Sequence, residues 1–303
     1  MNMRVLIVGC GYVGLPLGAE LVRQGHEVFG LRRSASEELR AAGITPLNAD
    51  ITQPDTLAQL PRHFDWVVNC AASGGGSAED YRKLYLDGNR NLIAWLATSP
   101  PKKLIYTSST SVYAQNDGSW VTEQSPTQPE AATARILAES EELLVAAARN
   151  QFSAIILRVA GIYGPQRGHA FKQFLSGEAR IEGGGTRFLN MIHRDDLIGA
   201  IIAALERGAP GEIYNVADNE PVTQLKFFEW LAAQLNRPLP PKVAGGEELQ
   251  RKRGPTNKRV SNAKLRAQLK YSFTFPDFRA GYAAEIAQFS RPVAPPPTQP
   301  RGN

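Results

Sequence analysis

The apolar run Arg4-Val5-Leu6-Ile7-Val8 leads without a spacer into Gly9-Cys10-Gly11-Tyr12-Val13-Gly14, and an amphipathic stretch follows. A strand, a glycine turn and a helix in that order constrain the fold more than any other feature of the chain. Gly9 permits the tight turn out of the strand, Gly11 lets the main chain approach a diphosphate, and Gly14 lets the helix pack on the strand. N–H groups at the helix N-terminus, where Tyr12 and Val13 lie, have no intrahelical acceptor and favour an anion. Gly-X-Gly-X-X-Gly is informative only between a strand and a helix, and the chain supplies that context. A bound dinucleotide is the expectation.

The second strand, residues 27–31, runs into Arg32-Arg33-Ser34. NAD enzymes usually carry an acidic residue about 20 positions after the glycines, which accepts hydrogen bonds from the ribose hydroxyls. Two guanidiniums and a hydroxyl suit a 2′-phosphate instead. NADP is therefore expected ahead of NAD, with a solvated basic turn as the alternative.

A chain of 303 residues, 43% hydrophobic and 21% charged, can bury one large α/β core, or such a core with a smaller appended domain. No apolar run reaches membrane-spanning length, and the N-terminus lacks the basic and apolar regions of a signal peptide, so a cytoplasmic protein is expected. Cys10 and Cys70 have neither disulfide-scaffold nor zinc-ligand spacing and read as buried packing residues; no metal is expected. The net charge of +5 comes from scattered basic residues without an aromatic-basic stripe. An anionic small molecule, not nucleic acid or membrane, is the expected partner, and the chain is expected to be a monomer or homodimer. From Arg291 onward, Pro292, Pro295, Pro296, Pro297 and Pro300 make a tail that reads as disordered.

Strand-like runs at 4–8, 27–31, 64–70, 103–108 and 153–159 alternate with helical patterns at roughly 12–25, 54–60, 78–98 and 130–149. Such alternation gives a doubly wound, Rossmann-type parallel sheet with helices on both faces, and ligands bind beyond the carboxyl ends of its strands. The residues at those ends are the candidates. Asp50-Ile51 stands where a side chain meets the adenine, Ala71-Ala72 offer small residues under a cofactor, and Thr107-Ser108-Ser109-Thr110-Ser111-Val112-Tyr113 crowds one strand end with hydroxyls.

These residues resemble the extended short-chain dehydrogenases/reductases, which include nucleotide-sugar epimerases and dehydratases. Leu157-Arg158-Val159-Ala160-Gly161-Ile162-Tyr163-Gly164-Pro165 is similar to the family's exit from its sixth strand, and Ile192-His193-Arg194-Asp195-Asp196-Leu197 to the start of its central helix. Glu212–Asp218 and Asn257–Asn262 continue the series in order, so the likeness runs to about Phe289. It implies a dinucleotide-binding domain over 1–165 whose core elements continue to about 220, a smaller C-terminal α/β substrate-binding lobe over 166–290, and the tail at 291–303.

The resemblance also implies a Ser, a Tyr-X-X-X-Lys pair and an Asn. The tyrosine works as acid/base at the substrate oxygen, its pKa lowered by the lysine and the nicotinamide charge. Ser109, four residues before Tyr113, matches the serine. Pro129 and Glu141, taken as the family's flanking residues, set Thr133 at the tyrosine and Leu137 at the lysine, while Tyr85 stands at the asparagine. Val8 also replaces the first glycine of extended members. A degenerate tetrad beside a sound glycine turn is what the atypical subgroup carries. Gly11–Leu17 is similar to the start of the UDP-sugar 6-dehydrogenases as well, but those chains are longer and need a catalytic cysteine where this chain has none.

Ser109, Asp87 and Thr133 are thus the catalytic candidates, with Asp87, Tyr85 or water open as the proton source. Asp87 can equally be a helix-face carboxylate paired with Arg90, and Ser109 a hydroxyl that satisfies a strand-end amide. Tyr85, Arg187 and Arg259 are candidates for substrate, with Lys258 beside them; surface solvation is the alternative for the three cations. Tyr113, Tyr163 and His193 read as structural. An NADP-dependent oxidoreductase or epimerase/dehydratase acting on a hydroxyl, carbonyl or nucleotide-sugar-like compound is expected, with a non-catalytic NADP-binding sensor or scaffold as the rival.

Overall fold

The computed structural model describes residues 2–34, 37–150, 153–243 and 256–289; the proline-rich tail lies outside the described residues. Seven parallel strands form the central sheet: β1 (Arg4–Val8), β2 (Glu27–Arg32), β3 (Thr45–Asn48), β4 (Trp66–Asn69), β5 (Lys103–Ser109), β7 (Ala154–Val159) and β11 (Ile213–Val216), in the order β11-β7-β5-β4-β1-β2-β3. Between β5 and β7 the chain makes the short strand β6 (Trp120–Val121). The strand order reverses between β1 and β4, which opens a crevice at their carboxyl ends.

Successive side chains of a strand point to opposite faces, so each buried strand serves two cores. Val5 and Ile7 pack with Leu17 and Leu21 of helix α1 (Gly14–Arg23) and with Leu197 and Ile201 of a later helix, while Leu6 and Val8 pack on the other face with Leu57, Leu92 and Leu144. Helices α3 (Pro54–Ala58) and α5 (Gly88–Leu96) pack in the second core, α2 (Glu37–Ala41) and α4 (Ala78–Tyr81) put Leu39 and Tyr81 in the first, and α6 (Ala132–Asn150) contributes to both. At Gly18, α1 packs closely on its neighbours, since a Cβ there would lie 2.5 Å from Ile44 Cδ1.

The segment expected as one helix over 78–98 is broken. A single π turn, Arg82–Asp87, separates α4 from α5. The wide turn releases the Tyr85 carbonyl from the regular ladder, and two side chains replace the lost donor: Asn89 Nδ2 at 2.6 Å and Ser140 Oγ at 2.7 Å. Asn89 Oδ1 in turn accepts from Asn69 Nδ2 at the end of β4, so a buried polar chain runs from the sheet to α6. Turns of this kind recur at functional sites.

The rest of the chain builds β8 (Gly161–Tyr163), α7 (His169–Ser176), β9 (Phe188–Leu189), β10 (Met191–His193), α8 (Arg194–Arg207), β12 (Val222–Thr223), α9 (Gln224–Leu235), β13 (Arg259–Val260), α10 (Ala263–Leu269) and α11 (Phe278–Phe289). Its strands pair as β10 with β8, β12 with β9 and β13 with β6. An aromatic cluster of Phe171, Phe174, Phe227, Phe228, Phe278 and Tyr282 forms a separate core. Asp196 fastens this part to α8 by accepting from Tyr271 Oη, Thr274 N and Phe275 N, each at 2.8 Å.

Candidate active site

The glycine turn sits at the crevice. Gly9 has φ +88°, and a Cβ there would lie 2.5 Å from the Ala71 backbone; one on Gly14 would lie 2.5 Å from the Gly9 carbonyl. Both positions are closed by protein. A Cβ on Gly11 would meet nothing within 4 Å, so the side this residue leaves bare is open. None of the N–H groups of Tyr12, Val13 and Gly14 meets an acceptor among the described residues. Three successive donors at the start of a helix, beside an open face, fit a dinucleotide diphosphate. The thiols below are inert: Cys10 is buried and pushed up to about 12, and burial also raises Cys70.

The other candidate cofactor residues lie at the ends of β2, β3 and β4. Arg32 ends β2 with its Nη1 3.4 Å from Glu38, while Arg33 and Ser34 are exposed just beyond. The Asp50 carboxylate accepts from Thr52 N at 2.9 Å, and Ile51 packs in the second core, where a Cβ on Gly88 would lie 2.9 Å from it. Asn69 Oδ1 accepts from Ala71 N and so shapes the exit from β4, and Ala72 beside it is exposed.

At the end of β5, Ser109 Oγ accepts from Ser111 N at 3.2 Å, the backbone-capping bond expected as its alternative role. Helix α6 packs against the turn that follows, with Thr133 in its first turn and Leu137 one turn on; both are buried, Leu137 within the apolar core. The Tyr85 phenol oxygen accepts from Ser73 N at 3.1 Å, and its ring lies 5.1 Å from that of Tyr81. Asp87 is held by Arg90 at 2.6 Å, and among the described residues no hydrogen bond ties it to a strand-end residue. Three buried polar atoms on these loops have no partner among the described residues: Ser73 Oγ, Ser111 Oγ and Gln115 Oε1. Buried polar groups are nearly always paired with protein or water, so these three are donors and acceptors open to a ligand or to solvent. The sequence places Ser111 in the hydroxyl-rich strand end but does not single out Gln115, and that any of the three is unpartnered is visible only in three dimensions.

The cations expected at the substrate are differently employed. Lys258 is not on the surface at all: it is 3% exposed, its Nζ donates to the Tyr113 carbonyl at 3.0 Å, and burial pushes it down to about 8. Arg259 Nε donates to the Gly118 carbonyl at 2.8 Å, with its guanidinium 5.2 Å from the Trp120 ring and 5.1 Å from that of Phe188. Arg187 is half-buried, and its carbonyl accepts from Gln224 N. Tyr113 donates to Asn215 and accepts from Arg158, which forms a buried pair with Glu141 at 2.7 Å. Tyr163 stacks on Tyr282, and His193 Nδ1 accepts from Asp195 N at 3.2 Å to cap α8, a bond that uses the unprotonated nitrogen; burial lowers its pKa. All three side chains are engaged with protein groups, as their structural reading expects.

The sequence profile of the NAD-dependent epimerase/dehydratase family matches residues 5–217. The chain belongs to that family. A Methylobacillus flagellatus protein assigned to the NAD-dependent epimerases/dehydratases is 34% identical, with a TM-score of 0.77 over 96% of this chain and 100% of its own. Protein YeeZ of Escherichia coli is 28% identical over 281 residues, 90% of this chain and 97% of its own length. A 3-diazoavenalumate denitrifying reductase from Streptomyces is 26% identical over 93% of this chain and all of its own. The fold is also that of the dTDP-glucose 4,6-dehydratase DesIV of Streptomyces venezuelae, whose structure contains NAD, at TM-score 0.81 and 22% identity over 95% and 97% of the two chains. No helix among the described residues is long and apolar enough to cross a membrane.

Proposed function

We propose that the protein is an NADP-dependent reductase or epimerase of the short-chain type, acting on a hydroxyl or carbonyl compound, with Thr133 and Leu137 where the family carries tyrosine and lysine. The observation that carries this reading is the glycine turn, whose Tyr12, Val13 and Gly14 amides meet no acceptor among the described residues beside the open side of Gly11; Ser73 Oγ, Ser111 Oγ and Gln115 Oε1 add unpartnered polar atoms on the loops that follow the neighbouring strands β4 and β5. Hydroxyls and an amide without partners suit a polar organic substrate better than an apolar one. The relative named as a reductase supports reduction ahead of epimerisation.

The amides of Tyr12, Val13 and Gly14 would hold the diphosphate, and Arg32, Arg33 and Ser34 the 2′-phosphate. When bound, the nicotinamide supplies or accepts a hydride. Ser109 orients the substrate oxygen from a position fixed by the Ser111 amide. Of the open proton sources, Asp87 is committed to Arg90. The Tyr85 phenol oxygen already accepts the Ser73 amide, which directs its proton toward another acceptor and makes Tyr85 the proton donor of this reading.

One observation favours a non-catalytic sensor instead: Leu137 is only 1% exposed inside an apolar cluster, so no charge stands there to lower the pKa of an acid. NADPH oxidation and epimer interconversion across a panel of carbonyl compounds and sugar nucleotides separate the two. The enzyme reading expects turnover that Tyr85→Phe lowers by about 10²–10⁴ without changing NADPH affinity. Tight NADPH binding with no turnover on any compound supports the sensor.

A further inference from the structure

Tyr12 does more than line the glycine turn. Its phenol donates to the Pro165 carbonyl at 3.1 Å, joining the turn that leaves β1 to the loop that leaves β8. Strand β8 continues from β7, and β4 and β5 stand between β7 and β1 in the sheet. The bond therefore joins the glycine turn to a loop whose chain left the sheet on the far side of β4 and β5. A Cβ on Gly164 would lie 3.2 Å from the same phenol and 3.4 Å from Arg194 Cβ, which brings the start of α8 to the same place.

Two guanidiniums use this ring as a platform. The Arg167 carbon is 4.8 Å from the Tyr12 ring centroid and that of Arg194 is 5.2 Å away. Cation–π attraction tolerates both but does not cancel their mutual repulsion. Arg194 is relieved by Asp195 at 2.8 Å, and the Glu285 carboxylate also acts on the phenol electrostatically, without an ion pair to either arginine among the described residues. Arg167 is exposed and has no ion-pair partner among the described residues. A cation with no ion pair among the described residues thus stands on the side chain whose own amide, with those of Val13 and Gly14, meets no acceptor there.

We propose that Tyr12, Arg167 and Arg194 form a clasp for the diphosphate of the dinucleotide. Arg167 supplies the charge, Tyr12 is the strut that sets its height over the turn, and Arg194, anchored by Asp195, closes the other side of the ring. The clasp rests on the dinucleotide reading but is separate from the Arg32–Arg33 pair, which faces the adenosine end. It acts on any ligand with the diphosphate and is indifferent to the 2′-phosphate.

Four ligands divide these roles: NADPH, NADH, ADP-ribose and adenosine 2′-monophosphate, titrated by calorimetry against wild type, Arg167→Ala, Arg167→Lys and Arg33→Ala. Arg167→Ala is expected to weaken NADPH, NADH and ADP-ribose by a similar factor, about threefold to tenfold for one screened cation at this range, and to leave adenosine 2′-monophosphate unchanged. Arg167→Lys retains most of the affinity, and raising the salt narrows the gap. Arg33→Ala should weaken only the two 2′-phosphate ligands. Unchanged ADP-ribose affinity in a folded Arg167→Ala protein overturns the clasp, and so does wild type that binds none of the three diphosphates. Equal wild-type affinity for NADPH and NADH, with the Arg167→Ala loss intact, overturns the NADP preference and leaves the clasp standing.

Discussion

Replacing Arg33 with alanine is expected to weaken NADPH about 10-fold to 100-fold while leaving NADH unchanged. Arg33 is exposed immediately after β2 and has no ion-pair partner among the described residues, so a ligand phosphate displaces nothing to reach it. A hydrogen bond to a charged group is worth about 1.5–3 kcal/mol, and each ~1.4 kcal/mol is tenfold in affinity. Arg32 differs. Its Nη1 lies 3.4 Å from the Glu38 carboxylate, their side chains 30% and 71% exposed, so Glu38 competes with the phosphate. Arg32→Ala should therefore cost less than Arg33→Ala, and Glu38→Gln should tighten NADPH by a few-fold. Dissociation constants for both cofactors, measured by calorimetry near physiological ionic strength and again at higher salt, check the series; the NADPH-specific losses should shrink as salt screens them. Equal losses for NADPH and NADH would refute the 2′-phosphate assignment.

Gly9→Ala and Gly11→Ala should part company. The first forces a Cβ to 2.5 Å from the Ala71 backbone at φ +88° and should lower Tm by roughly 5–15 °C, whereas the second meets no protein atom and should leave Tm unchanged while abolishing dinucleotide binding. Thermal unfolding with cofactor titration separates the two outcomes. Burial pushes Asp218 up to about 8, so between pH 4 and 8 the folded protein holds a proton that the unfolded chain has lost. Its contribution to stability is present in full below pH 4 and is lost as pH rises through 8. Urea unfolding at pH 5 and pH 8 should show a smaller loss for Asp218→Asn than for wild type; the same loss in both would contradict the assignment.

The glycine turn was legible because it is local: three glycines between a strand and a helix have one physical use, and the structure encloses Gly9 and Gly14 while leaving Gly11 open. The sheet was legible for a similar reason, since strands such as Val5–Val8 are apolar on both faces. The π turn at Arg82–Asp87 was not. Nothing in the sequence between Tyr81 and Gly88 signals it, because the Tyr85 carbonyl is satisfied by Ser140 from another helix, 55 residues away. Lys258 and Arg259 could be placed in a motif but not assigned an employer: one is buried against the Tyr113 carbonyl and the other lies between two aromatic rings, and both facts depend on tertiary packing. Tyr12 was recognised for its amide, while its side-chain bond to Pro165 joins residues 153 apart.

A crystal structure of the protein with NADPH bound tests the account most directly. It should hold the diphosphate on the amides of Tyr12, Val13 and Gly14, the 2′-phosphate within hydrogen-bond reach of Arg33, and the nicotinamide toward Ser109 and the Tyr85 phenol. A 2′-phosphate turned to solvent away from Arg32 and Arg33, or a nicotinamide facing neither hydroxyl, would contradict it.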